Sequence, residues 1–232
     1  MKLVLIDGKY KGEVKLPKKA LDILKKFGRI AVYTTTQFNH KLSGVLKQLD
    51  KAGIKYVSSQ PERTNAKFQV LGCDMYHGNL KLAEDVDAYL YVGDGRFHPN
   101  ALLFQEEDGQ GTRPVIMYDP PNKKVHVLTS KDVEKVLGRK RANIKRFLMA
   151  KTVGVVVTTK PGQEHFHYFK KLEEKYKDKK FYVFTCDTVS FSEMENFPFI
   201  QAWINTACPR IGADDITTTE KVIVNAEEAL RI

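Results

Sequence analysis

One short pattern occurs twice along this chain and constrains its fold more than any other feature. Gly28-Arg29-Ile30-Ala31-Val32-Tyr33-Thr34-Thr35-Thr36-Gln37 is an apolar run that passes into a polar loop. Leu42, Val45, Leu46 and Leu49 follow at the three-and-four spacing of one helical face, through about Ala52. Gly53 stops that helix, and Ile54-Lys55-Tyr56-Val57 opens another strand. In the second half, Val153-Gly154-Val155-Val156-Val157-Thr158-Thr159-Lys160 repeats the strand and its Thr-Thr exit. A helix over about 164–176 and a strand at Phe181-Tyr182-Val183-Phe184 complete the repeat. It extends one strand further: Ala88-Tyr89-Leu90-Tyr91-Val92 runs into Gly93-Asp94-Gly95-Arg96, and Ala202-Trp203-Ile204 into Asn205-Thr206-Ala207-Cys208. Strands alternating with helices require right-handed crossovers, and hence parallel sheets covered on both faces. The expected fold is α/β, with two similar domains, each a small parallel sheet flanked by helices. The expected domains are 1–135, with a Cys73 loop, and 136–232, with a Cys208 loop, joined by a helical segment over about 130–151 that Ser130 caps.

A length of 232 residues suits two domains of ordinary size. No run approaches the roughly 18 apolar residues of a membrane span. The apolar opening stretch, Met1 to Gly8, is too short for a signal peptide, so a cytoplasmic location is expected. Cys73, Cys186 and Cys208 are odd in number and widely separated, which is not a disulfide framework, and reduced thiols remain available to a metal. The formal net charge of +10 raises the question of nucleic acid. Most lysines, however, fall on helical stretches such as 16–26 and 170–180, where interleaved acids make a solvated face. Gly138-Arg139-Lys140-Arg141-Ala142-Asn143-Ile144-Lys145-Arg146 is denser and suits phosphate or an acidic protein surface. It carries no interleaved aromatics, so nucleic acid is not the expected partner.

The chemistry-bearing residues gather after strands. Cys208 stands in the loop leaving a strand, the end at which open α/β sheets gather ligands. Pro209 ends the ladder there, and Arg210 supplies a fixed cation for an anionic ligand or a thiolate. Two uses of Cys208 are open, a buried structural cysteine before a turn or a thiolate ligand. Cys73, in Gly72-Cys73-Asp74, is placed at a helix start that would lower its pKa, with Asp74 as an ordinary cap the alternative. Gly93 and Gly95 allow close backbone approach to a ligand, or simply a tight turn, and His98 is a donor, base or ligand. Gly162, before a helix N-terminus, offers an anion site or a plain turn. Cys186 lies just past a strand, at the same sheet end as Cys208. No Cys-x-x-Cys pair suggests zinc, no Gly-x-Ser-x-Gly turn suggests a serine hydrolase, and His165 and His167 should diverge on their helix.

With these motifs in order, the chain resembles the diphthamide synthase family, the 2-(3-amino-3-carboxypropyl)histidine synthases. The resemblance rests on Tyr33-Thr34-Thr35-Thr36-Gln37, Gln69-Val70-Leu71-Gly72-Cys73-Asp74, Tyr91 to Pro99, Thr159-Lys160-Pro161-Gly162-Gln163 and, most specifically, Asn205 to Asp215. It implies similar α/β domains, three in a full family member, each giving one cysteine to a 4Fe-4S cluster with one iron open to S-adenosylmethionine. It further implies cleavage at the methionine γ-carbon, transfer of a 3-amino-3-carboxypropyl radical to a histidine of elongation factor 2, and release of methylthioadenosine. On this resemblance Cys73 and Cys208 are the cluster ligands of the second and third domains. Gly93, Gly95, Arg96, Gly162, Gln163 and Arg210 are candidates for contacts to S-adenosylmethionine or the cluster loops. The implied partners are elongation factor 2, an electron donor, and a companion synthase chain or first-domain fragment. The chain departs from the pattern in two ways: Met1 falls where the second domain begins, and Phe68 replaces a usual glycine, narrowing the adjacent cavity. The third ligand is then Cys186, a thiol of another chain, or none. The rival readings are a non-catalytic scaffold or accessory partner of a complete synthase, and a basic nucleic-acid-binding module using Arg139, Lys140, Arg141 and Lys145.

Overall fold

The computed structural model describes residues 8–105 and 113–232, so all but the last residue of the apolar opening stretch lies outside the described residues. The chain divides into two compact units, Met1–Val133 and Glu134–Ile232. The first contains α1 (Lys18–Leu24), β1 (Ile30–Thr34), α2 (Thr36–Asn39), α3 (Leu42–Lys51), β2 (Tyr56–Val57), β3 (Ala88–Val92), α4 (Phe97–Phe104), β4 (Val115–Asp119) and β5 (Lys124–Leu128). The second is built from α5 (Ser130–Met149), which begins just ahead of the division, β6 (Thr152–Thr158), α6 (His167–Lys175), β7 (Lys180–Cys186), β8 (Ala202–Asn205), β9 (Ile223–Asn225) and α7 (Ala226–Arg231).

The expected α/β architecture is present in both. The sheets run β2-β1-β3-β4-β5 and β7-β6-β8-β9, so the repeated strands occupy the same places in the same order. β1, β3 and β4 are buried along their whole length, which is why they read as continuous apolar runs rather than as alternations. β1 pairs with β3 in parallel from Ile30 beside Ala88 to Thr34 beside Val92. Leu42, Val45 and Leu49 of α3 meet Ile30, Val32, Leu90 and Ile116 in the core of the first unit. The second unit has a core on each face of its sheet, one around Phe147, Val155, Leu172 and Ile204, the other around Val156, Met194, Trp203 and Ile223. Gly154 sits in mid-strand because a Cβ there would strike the Trp203 indole.

Several details differ from expectation. The first sheet is parallel except for β5, which returns antiparallel to β4 through a tight turn. Asp119 closes that turn by accepting the Asn122 N–H at 3.1 Å. The expected single helix after β1 breaks into α2 and α3, and the one predicted over 164–176 begins only at His167, beyond the turn at Gly162. The N-cap of α5 is Thr129 rather than Ser130, since Asp132 reaches back to the Thr129 N–H at 2.9 Å. Lys179, in the stretch read as a solvated face, is buried. Its Nζ donates to the carbonyls of Leu148 and Ala150 at 2.8 and 2.7 Å, capping the C-terminus of α5 over the Phe147 ring. Among the described residues no helix is long and apolar enough to cross a membrane.

Candidate functional site

In the first unit the chain leaves β1 toward β2 on one side and β3 lies on the other, so strand order reverses between β1 and β3. The carboxyl ends of such a pair form the usual ligand crevice of open α/β sheets. A cavity of about 360 Å³ lies there, lined among others by Thr35, Thr36, Gln69, Asp94 and His98. Thr34 Oγ1 donates to the Val92 carbonyl at 2.6 Å and ties the two strand ends together. The segment that carries Cys73 is hydrogen-bonded to the same end: the Thr34 N–H donates to Phe68 O at 2.8 Å and the Val70 N–H to Thr34 O at 2.9 Å. Gln69 Nε2 donates to Thr36 Oγ1 at 2.6 Å.

Cys73 then stands, half-buried, in a turn rather than at the expected helix start. The Asp74 N–H donates to Leu71 O at 3.1 Å, and the Leu71 N–H donates to Asp74 Oδ2 at 2.8 Å, so Asp74 closes the turn on itself. Burial pushes the Asp74 carboxyl above its ordinary pKa, against the opposing pull of the Leu71 N–H. A Cβ on Gly72 would meet the Phe97 ring, so the ring lies where it does only over a glycine. Phe68 holds a left-handed φ of +70°, the region that favours glycine. Its ring packs against the core of the unit and does not line the cavity, contrary to the expected narrowing.

In the second unit Cys208 leaves β8 half-buried, inside a set of buried polar side chains. Asn205 Nδ2 donates to Cys208 O at 2.9 Å, and Asn205 Oδ1 accepts the Ala207 N–H at 3.1 Å. Asn225 Nδ2 donates to Pro209 O at 2.8 Å, while its Oδ1 accepts from Asn205 at 2.8 Å. Gly212 leaves room for the Asn225 carboxamide, which a Cβ would displace. Arg210 is buried and turned onto Asp214, with Nε donating to Oδ2 at 2.5 Å. Burial lowers the Arg210 pKa, and Asp214 and then Cys208 oppose that shift. The guanidinium is thus committed to its own loop.

The remaining candidates are dispersed. The Gly93 N–H continues the sheet by donating to Tyr118 O at 2.9 Å, Gly95 has φ +63°, and exposed Arg96 pairs with Asp132 at 3.2 Å. It is Asp94 and His98 from this loop that line the crevice. Gly162 has φ +76° in a turn, and Gln163 lines a smaller cavity of about 160 Å³ with Lys160, Asp187 and, from the Cys208 loop, Ile211 and Asp215. Cys186 is the last residue of β7, in register with Thr158, and borders an apolar cavity with Phe184, Met194 and Trp203. Burial pushes its thiol pKa up, with Asp187 adding to the shift. His165 precedes α6, so its ring lies 5.6 Å from that of His167 rather than diverging. Of the basic run, Lys140 is buried against Glu228 at 2.8 Å, and Arg139 donates to Thr219 O at 2.8 Å, leaving Arg141, Lys145 and Arg146 exposed. Lys140 is therefore not a surface cation. Sequence reasoning missed Thr36, Gln69, Asn225 and Glu228. The Asn225-x-x-Glu228 capping-box spacing was the available signal for the last two.

The family model for diphthamide synthesis proteins matches residues 5–231. The 2-(3-amino-3-carboxypropyl)histidine synthase subunit 1 of Yarrowia lipolytica is 32% identical over 208 residues, 87% of this chain and 45% of that protein. The 2-(3-amino-3-carboxypropyl)histidine synthase of Pyrococcus horikoshii is 28% identical over 209 residues, 88% of this chain and 57% of that protein. The crystal structure of Dph2 from Pyrococcus horikoshii with a 4Fe-4S cluster is similar with a TM-score of 0.73 at 26% identity, covering 91% of this chain and 59% of that one. The chain spans about half the length of the curated relatives it matches.

Proposed function

Because the chain belongs to the diphthamide synthesis protein family, we propose that it is a component of a 4Fe-4S, S-adenosylmethionine-dependent 3-amino-3-carboxypropyl transferase that modifies a histidine of elongation factor 2. One observation carries this reading. In each unit a half-buried cysteine that forms no disulfide stands beyond the carboxyl ends of the parallel strands, on a loop locked by hydrogen bonds of its neighbours. Cys73 and Cys208 suit two of the three thiolate ligands that leave one iron of a cluster open. Among the described residues no group of three His, Cys, Asp or Glu could hold a metal, and Cys186 faces an apolar cavity with its pKa raised. The reading takes the third thiolate from outside the described residues, with a companion chain or first-domain fragment as its source. The cluster, when bound, supplies the electron that breaks the sulfur to γ-carbon bond of S-adenosylmethionine.

The residues of this chain bind and orient. Thr36, Gln69, Asp94 and His98 offer the crevice beside Cys73 a set of donors and acceptors for the polar ends of S-adenosylmethionine. Gly93, Gly95 and Arg96 shape the loop that carries Asp94, and Gly162 and Gln163 shape the smaller cavity beside the Cys208 loop. Arg210 fixes that loop through Asp214. Exposed Arg141 and Lys145 contribute to a basic surface that steers the protein substrate, an effect that weakens as salt rises. The expected location is the cytoplasm, with an electron donor as a further partner.

The test is anaerobic purification of the chain alone and with its companion, assayed for iron, acid-labile sulfide and methylthioadenosine release. Cluster and product in the joint preparation support the reading. A joint preparation that holds no cluster overturns it, and product formation by a companion that holds the whole cluster itself assigns this chain a scaffolding role instead.

A further inference from the structure

We infer that Asn225, backed by Glu228 and Lys140, is a positioning bracket that aims the Cys208 thiolate, an inference that rests on Cys208 being a cluster ligand. The loop is held at three consecutive residues. Asn205 holds the Ala207 N–H and the Cys208 carbonyl, and Asn225 holds the Pro209 carbonyl and Asn205 itself. The pyrrolidine ring of Pro209 restricts the backbone on the far side of Cys208. The Cα–Cβ direction of Cys208 is thereby set from both sides, without a hydrogen bond to the sulfur being required.

The bracket reaches back to α5. Glu228 Oε2 accepts the Asn225 N–H at 3.4 Å, and Lys140 Nζ lies 2.8 Å from Glu228 Oε1. Asn143, one turn farther along α5, donates to Ile223 O at 3.0 Å and so pins the strand that ends in Asn225. Asn205, Asn225, Glu228 and Lys140 are all buried. Burying two amides and an ion pair is costly, and an apolar filling would serve packing better. An inert cysteine before a turn needs no such support, whereas a ligand must be held to within about 0.5 Å of its working geometry. Gly212 points the same way, because it clears the space in which the Asn225 carboxamide sits.

The experiment compares wild type, Asn225→Ala and Glu228→Gln, the last nearly isosteric and able to stand alone if the first fails to fold. Circular dichroism melting establishes that each variant is folded. In the metal-free chain, alkylation of Cys208 is timed at one pH by peptide mass mapping, with Cys73 of the same molecule as internal reference. In the joint preparation with the companion chain, iron release to a chelator is timed. Asn225→Ala is expected to speed both Cys208 alkylation and iron release by about tenfold, as for outer-shell partners of metal ligands, and Glu228→Gln by a smaller factor, with Cys73 unchanged. Folded variants with wild-type Cys208 alkylation and iron release overturn the bracket, as does an equal change at Cys73. If the wild-type joint preparation holds no iron, the functional reading fails, and the alkylation arm still decides whether Asn225 holds the Cys208 loop.

Discussion

The two units have the same strand order but carry their cysteines in different connections. Cys73 lies between β2 and β3, whereas Cys208 lies between β8 and β9. By strand position the counterpart of the Cys208 loop is the Gly93–Arg96 loop after β3, and the connection corresponding to that of Cys73 begins at Cys186. The two thiols are thus not related by the repeat. What the units share is the carboxyl end of the sheet, where any connection can present a side chain to a ligand. They also differ in how the loop is locked: the Cys73 turn is closed by Asp74 on Leu71 and held at the Asp74 carbonyl by Gln105 beyond α4, while the Cys208 loop is held by Asn205 of β8 and Asn225 of β9, backed by Glu228 of α7 and Lys140 of α5. The repeat carries the scaffold, and each site is built on it separately.

The largest effect should come from the thiols themselves. Cys73→Ser and Cys208→Ser should each lower cluster content and methylthioadenosine release by at least roughly a hundredfold in the joint preparation, beyond the range seen for outer-shell changes. A chain in which only one of them matters would break the equivalence of role that survives the difference in position. Next in size, Lys140→Met leaves Glu228 buried without its cation, and should destabilise the second unit by about 3–5 kcal/mol. Denaturant unfolding followed by hydrogen exchange should place that loss in 134–232 and spare the first unit.

A smaller difference should emerge in alkali. Burial raises the Tyr33 pKa from 10.0 to about 12, and raises that of Tyr91 as well, both in the first sheet. Below pH 10 the folded and unfolded chains both keep these protons, and the stabilisation is fully present. From pH 10 upward the unfolded chain releases them while the folded one holds them, so stability falls through about pH 12 by about 1.4 kcal/mol per pH unit for each tyrosine. Tyrosinate absorbance with unit-resolved hydrogen exchange should show the first unit opening before the second. The smallest effect is expected at Phe68. Phe68→Gly removes a large ring but relieves a left-handed backbone, and the two terms should leave stability changed by less than about 1 kcal/mol in thermal melts.

What was legible in the sequence was whatever repeats locally. β1, β3, β6 and β8 are recognisable because central parallel strands are apolar on both faces, and α3 because its apolar residues keep one helical face. The motif order pointed to the family that the family model matches. The antiparallel β5 was not legible, since Lys124, His126 and their half-exposed neighbours make an edge strand look like loop. Nor was the interior place of Lys140, because a charge run reads as surface until a distant partner such as Glu228 is brought to it. The Asn225 bracket was hidden for the same reason: it joins residues that only the folded chain makes neighbours.

α5 also determines how this protein can be dissected. A fragment beginning at Thr152 would inherit every strand of the second sheet and Cys208, yet lack Lys140 and Asn143. It would take the Lys140 cation away from buried Glu228, and leave Lys179 without the helix end it caps. A cut ahead of Thr129 keeps the helix, its own cap and its clamps in one piece. Such a cut parts exposed Arg96 from Asp132, and in exchange leaves the linking helix whole for the half that Lys140 and Asn143 serve.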